Sequence, residues 1–220
     1  FSTLGREWIP FEWGWDVLNY SVYSFGGYTS ISILRTVFLL LMFFFFFRIN
    51  VKLDIYPVIS VIVFLLLFFG ILDRLLIKPQ ISSYLFFVMI IYIFLEHRLS
   101  AAVTKKIYWL PVFFLLWANM HMGVLAGIGV FGVFLLSEFV VFLKPSFFPD
   151  SCPPETRKRK LVILTAAFAA SLLALLLNPH GIHTFTYVNS HLHMKMIDEV
   201  FEWRPPLDSL FDGTIFRYVY

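Results

Sequence analysis

Charge is scarce in this sequence. Only 14% of its 220 residues are Asp, Glu, Lys or Arg, while 60% are hydrophobic and 20% are Phe, Trp or Tyr. A soluble domain carries about 25% charged and 45–50% apolar residues. A water-soluble globular domain is therefore excluded, and the mean hydropathy of +0.82 points to an integral membrane protein. Cysteine is nearly absent: Cys152 stands alone, which excludes an internal disulfide framework. No basic block alternates with aromatics in a polar setting, which argues against nucleic acid as a partner. The chain opens at Phe1 rather than Met, in a polar-aromatic segment without a signal peptide ahead of it. A fragment is expected, lacking at least one upstream helix and some downstream sequence.

Long apolar runs make up most of the remainder. Roughly 17–25 apolar residues are needed to cross the hydrocarbon core, and six candidate spans are expected: 29–47, 55–72, 81–95, 107–119, 122–143 and 161–177. The fourth covers only about 20 Å at ~1.5 Å per residue, too little for a ~30 Å core. The expected fold is all-α: a polytopic integral membrane protein of about six transmembrane helices, one pair short or broken, with interfacial helices on the outer face. Its parts are an outer-face interfacial segment (1–28), a transmembrane domain (29–177) and an outer-face juxtamembrane segment (178–220).

The cations set the orientation. Connections 48–54, 96–106 and 144–160 hold ten Lys and Arg in 35 residues, whereas 1–28, 73–80, 120–121 and 178–220 hold six in more than twice that length. The first set is expected to be cytoplasmic, with "CPPETRKRK" (152–160) as a loop ending in a basic stop, and both ends of the chain outside. Almost every polar cluster then falls on the outer side.

Four of these clusters could carry chemistry. In "EWIPFEWGWDVLNYSVYSFGG" (7–27), Trp13, Trp15, Tyr20 and Tyr23 suit the headgroup level. Glu12 and Asp16, at i and i+4, project from one face of a helix. They could supply a general base or hold a divalent cation, or simply anchor an interfacial helix. In "DRLLIKPQ" (73–80), Arg74 offers a planar fork and Lys78 a point charge for a phosphate, or both meet lipid headgroups. In "LWANMHMG" (116–123), Asn119 and His121 interrupt apolar sequence and would cap two half-helices or contact a substrate. Gly123 and Gly127 beyond them form a G-x-x-x-G. In "LLNPHG" (176–181), Pro179 and Gly181 stop the sixth span beside Asn178 and His180. His183, His191 and His193 follow, but H-x-H without a Cys partner makes a weak zinc signal, and no metal site is assigned. Glu202 sits in the acidic, aromatic "IDEVFEWRPP" (197–206), and Arg35, early in the first span, snorkels or faces the bundle.

Taken together, these stretches resemble bacterial polytopic glycosyltransferases of the GT-C fold. "FSTLGREWIPFEWGWD" resembles that family's segment after its first helix, "DRLLIKPQISSYLF" its Arg-Pro-Gln stretch and "LPVFFLLWANMHMG" its Leu-Pro followed by Trp-x-Asn-x-His-Gly. "LLNPHG" resembles its Asn-Pro-x-Gly and "IDEVFEWRPP" its Ile-x-Glu-Trp segment, in the right order across nearly the whole chain. Gly14 departs from the usual Leu, Lys78 from the commoner Arg, and Met122 separates His121 from Gly123. The stretch that would carry the family's catalytic Asp lies before Phe1. The resemblance implies sugar transfer from a polyprenyl-phosphate donor to a glycan, lipid or protein acceptor outside the bacterial cytoplasmic membrane. It implies Glu12, then Asp16, as base or in positioning the acceptor; Arg74 and Lys78 on the lipid phosphate; and Gln80, Asn119, His121, Asn178, His180 and Glu202 lining the cavity. Two other classes stay open: a non-catalytic subunit of a larger membrane complex, and a transporter. The transporter is disfavoured because only one interrupted helix pair is present.

Overall fold

A computed structural model of the chain describes residues 10–71, 78–145 and 152–183. The chain divides into two compact units, Phe1–Pro179 and His180–Tyr220. Among the described residues of the first, six α-helices follow one another: α1 (Trp13–Lys52), α2 (Pro57–Ile71), α3 (Gln80–Leu99), α4 (Leu110–Met120), α5 (Val124–Leu143) and α6 (Pro154–Leu175), with a 3-10 helix (Lys105–Trp109) ahead of α4. Among the described residues there is no strand. Runs this apolar satisfy their backbone groups internally where water is absent, and a helix does so within one segment.

Helices appear where the six spans were expected, but among the described residues only α1, α3 and α5 are long and apolar enough to cross a membrane. α4 has 11 residues, about 16 Å of helix. α2 has 15. α6 has 22 residues but opens on Pro-Glu-Thr-Arg-Lys-Arg-Lys, so its apolar part is short. Its start also corrects the expectation of a loop at 152–160. Pro154 suits the first helical position, where no N–H is needed, and the Glu, Arg and Lys that follow are good helix formers. Lys160 is then buried and reaches back to cap α3, its ammonium donating to the Ser100 carbonyl at 2.9 Å.

α1 is not one rod. Gly26 (φ −167°, ψ 25°) and Gly27 (φ 61°, ψ −145°) leave the helical region within it, and the positive φ of Gly27 is one that only glycine adopts without strain. Trp15 and Phe38 would stand about 35 Å apart on a straight helix, yet their ring centroids are 5.9 Å apart. The first arm (13–25) therefore doubles back on the second (28–52). The break falls beside the expected boundary between the interfacial segment and the first span.

The core lies among α3, α4, α5 and α6, where Ile90, Phe114, Trp117, Phe131 and Leu164 are completely buried. The Trp117 ring stacks on Phe86 (5.5 Å) and Phe114 (5.8 Å), and Phe94 stacks on Phe134 at 4.4 Å. α2 stays outside this core. It meets α1 through Phe43 and Phe64 and turns Val58, Ile62 and Leu66 outward.

Polar side chains collect at two ends of this unit. At one end, Glu96 receives Lys106 at 2.6 Å and Lys52 at 4.0 Å, and Arg98 pairs with Glu138. The basic connections expected to share a side meet here. At the other end lie the first turn of α1, the start of α3 and the α4–α5 break.

The G-x-x-x-G of α5 has a physical reason. A Cβ on Gly127 would run into the six-membered ring of Trp117, whereas one on Gly129 would meet open space. Gly127→Ala should destabilise the detergent-solubilised protein by about 1–3 kcal/mol through overpacking. Gly129→Ala should leave stability unchanged or slightly raised. Thermal unfolding of the two variants checks this, and equal midpoints would refute the packing role of Gly127.

Candidate functional site

The C-terminal end of α4 is built around residues 117–123. The helix stops because His121 is extended (φ −162°, ψ 143°), and α5 begins after Gly123. The helix-end carbonyls find donors from several places. Trp117 O accepts the His121 N–H at 3.0 Å, and Ala118 O accepts the Asn178 side-chain amide at 2.9 Å. Asn119 turns its amide back to Leu115 O at 2.7 Å, and its Oδ1 accepts the Trp13 indole N–H at 2.8 Å. α1 comes this close because residue 14 is glycine: a Cβ there would sit 2.7 Å from the Asn119 carbonyl oxygen.

His121 is half-buried in this turn, and its neighbours fix its tautomer. Nδ1 accepts the Gly123 backbone N–H at 2.9 Å and lies 2.7 Å from the Ser83 hydroxyl. The amide can only donate, so Nδ1 is an acceptor and the hydroxyl points its proton at the ring. Ser83 Oγ in turn accepts the Trp117 indole N–H at 2.7 Å. The neutral ring thus carries its proton on Nε2, and Nε2 faces Glu12 Oε1 at 3.6 Å. Protonating Nδ1 would set a donor against the Gly123 N–H and force the Ser83 hydroxyl to turn away its proton. Burial moves the ring the same way, lowering its pKa from 6.5 to about 4.

Glu12 precedes the first residue of α1 and is half-buried, while Asp16, one turn on, is exposed. Burial, and then the charge of Asp16, raise the Glu12 carboxyl from 4.5 to about 7. A carboxyl poised near neutrality beside a neutral imidazole is a competent proton acceptor. It is not an ion pair, since the ring stays uncharged.

Of the residues singled out from sequence, the structure brings Glu12, Asn119, His121 and Asn178 to one place, with Asp16 acting on Glu12 through its charge. Gln80 opens α3 one turn before Ser83, and its buried Oε1 has no hydrogen-bond partner among the described residues. Lys78 is half-buried just before it. His180 belongs to the second unit, where its carbonyl accepts the His183 N–H at 3.0 Å. Arg74 and Glu202 lie outside the described residues. Among the described residues no three His, Cys, Asp or Glu side chains gather as metal ligands. Sequence reading missed Ser83, Trp117, Trp13 and Gly14 as members of the site. A serine pair inside an otherwise apolar span was the only available signal for Ser83.

No family model, curated protein or solved structure matches this chain. The described residues are all-helical, with three helices apt to cross a membrane and a carboxyl–imidazole pair at one end.

The two titrations act on stability in opposite senses. Because the folded pKa of Glu12 is raised, the folded form binds an extra proton between pH 4.5 and 7, and stability falls as pH rises through that window. Because that of His121 is lowered, stability falls as pH drops from 6.5 towards 4. Glu12→Gln should therefore abolish the loss of stability that accompanies rising pH between 4.5 and 7 in denaturation experiments. Infrared titration of the Glu12 carboxyl should give a midpoint near 7, lowered by Asp16→Asn; a midpoint near 4.5 would refute the environment described.

Proposed function

We propose that this chain is a multi-pass membrane glycosyltransferase of the GT-C type, working at the outer face of the bacterial cytoplasmic membrane. It moves a sugar from a polyprenyl-phosphate donor to a hydroxyl of a glycan, lipid or protein acceptor. In this reading all six helical segments lie in or against the bilayer, the short α4 turning back into α5 at the break, with the Glu12 end facing out. The observation that supports it best is the Glu12 carboxyl, half-buried, raised to about 7 and set 3.6 Å from His121. The GT-C resemblance points to the same residue, as base or in positioning the acceptor.

Glu12 takes the acceptor's hydroxyl proton as the oxygen attacks the anomeric carbon. The bond from that carbon to the phosphate oxygen breaks, and the lipid phosphate leaves with the electron pair. His121 Nε2–H steadies the carboxylate oxygen; contacts that are long without substrate tighten around a bound one. Gln80 and Asn119 offer polar groups to the sugar. Lys78, with Arg74, meets the phosphate.

General-base catalysis is worth about 10²–10⁴-fold. Glu12→Gln should lower sugar transfer from a polyprenyl-phosphate donor at least ~10²-fold while the protein stays folded and elutes as before, and kcat/KM of the parent should rise with pH through a pKa near 7. A near-normal rate in that variant would remove Glu12 from the role.

The outward faces of α1 and α2, with Phe25, Tyr28, Leu66 and Phe69 strongly exposed, favour one second reading: a non-catalytic subunit that packs on partners in a membrane complex. Copurification of a stoichiometric partner, with no transfer activity in either state, would favour it.

A further inference from the structure

At the end of the unit away from Glu12, a cavity of about 460 Å³ opens between α1, α3 and the start of α4. Its walls are aromatic, including Phe45, Tyr92, Trp109 and Phe113, and two cations, Arg48 and Lys106, line it with them. Arg48 is exposed, and among the described residues no acidic side chain pairs with it. The Lys106 ammonium donates to Glu96 at 2.6 Å and to the Tyr92 hydroxyl at 3.1 Å, so one of its three N–H donors is left for a ligand. Exposed Tyr108 and Trp109 on the adjoining 3-10 helix suit the headgroup level of a bilayer. The cavity therefore runs from cations at a membrane boundary to rings about one helical turn deeper on α1 and α4.

We propose that this cavity binds an anionic phospholipid, its phosphate held by Arg48 and Lys106 and the start of an acyl chain lying between the rings. The volume falls in the range of ligand pockets, about 300–1,000 Å³. The guanidinium can take two phosphate oxygens at once. Local charge selects against a zwitterionic lipid. Aromatic rings attract a quaternary ammonium, but Lys106 already lies 4.8 Å from the Tyr92 ring centroid and Lys52 5.6 Å from it. A choline group would meet like charge there. The aromatic walls would give a free phosphate nothing. The site involves none of the residues assigned to sugar transfer.

Native mass spectrometry of the detergent-purified chain, titrated with phosphatidylglycerol or phosphatidylcholine, tests this. Phosphatidylglycerol should bind at least about fivefold more tightly, the weight of roughly one interfacial cation. Arg48→Gln should abolish the preference. Met89→Trp, which fills the cavity without touching its charge, should weaken phosphatidylglycerol binding, and millimolar inorganic phosphate should compete poorly. Equal binding of the two lipids by the parent protein overturns the proposal whether or not the variants fold. A preference retained in Arg48→Gln overturns the site, and full competition by phosphate overturns the acyl-chain contact.

Discussion

The last carbonyls of α4 end inside the protein. An α-helix leaves four such groups without intrahelical partners, and leaving them bare in an apolar setting costs about as much as losing the hydrogen bonds themselves. Here the donors arrive from far away in the chain: the Asn178 amide from beyond α6 reaches Ala118. The Asn119 amide folds back on its own helix, and its carbonyl end then recruits the Trp13 indole. Satisfying one helix terminus thus pulls together the first arm of α1, the chain after α6 and, through His121, the start of α3. The polar site at this end is a by-product of ending a helix where water is scarce.

The opposite end solves a similar problem with charge. The end of α3 is covered by the Lys160 ammonium, whose long apolar stem crosses from α6 before its head meets the Arg98 and Ser100 carbonyls. Glu138 is nearly buried, and Arg98 neutralises it. Paired charges of this kind add little net stability against an apolar replacement, but breaking one partner is costly. The basic residues counted to orient the chain are therefore also structural parts joining α3, α5 and α6.

Much of the helical layout was legible from sequence because apolar runs must become helices, and the break at Asn119–His121 was legible because polar residues interrupted such a run. The bounds of α6 were not. Arg157 to Lys160 read as a solvated loop, since nothing local says that Lys160 will be buried against residues 60 positions earlier. The reversal at Gly26–Gly27 was visible as a composition boundary but not as a fold, because two glycines permit a turn without specifying its direction. Glu12 and His121 could each be singled out, yet their meeting depends on Gly14. In sequence Gly14 was only a departure from a motif; in the structure it is the gap that lets α1 approach Asn119. Ser83 and Trp117 were hidden for the same reason: their hydrogen bond spans 34 positions and leaves no periodic trace.

The start of α1 and the residue that caps it supply three things to the α4–α5 break: the Glu12 carboxyl, the Trp13 indole and the bare Gly14 backbone. They sit on a single arm that the Gly26–Gly27 reversal folds back over the second. A map of damaging substitutions in this chain would group an acid, an aromatic and a glycine into one phenotype, although they share no chemistry, because each is an attachment of the same short lever.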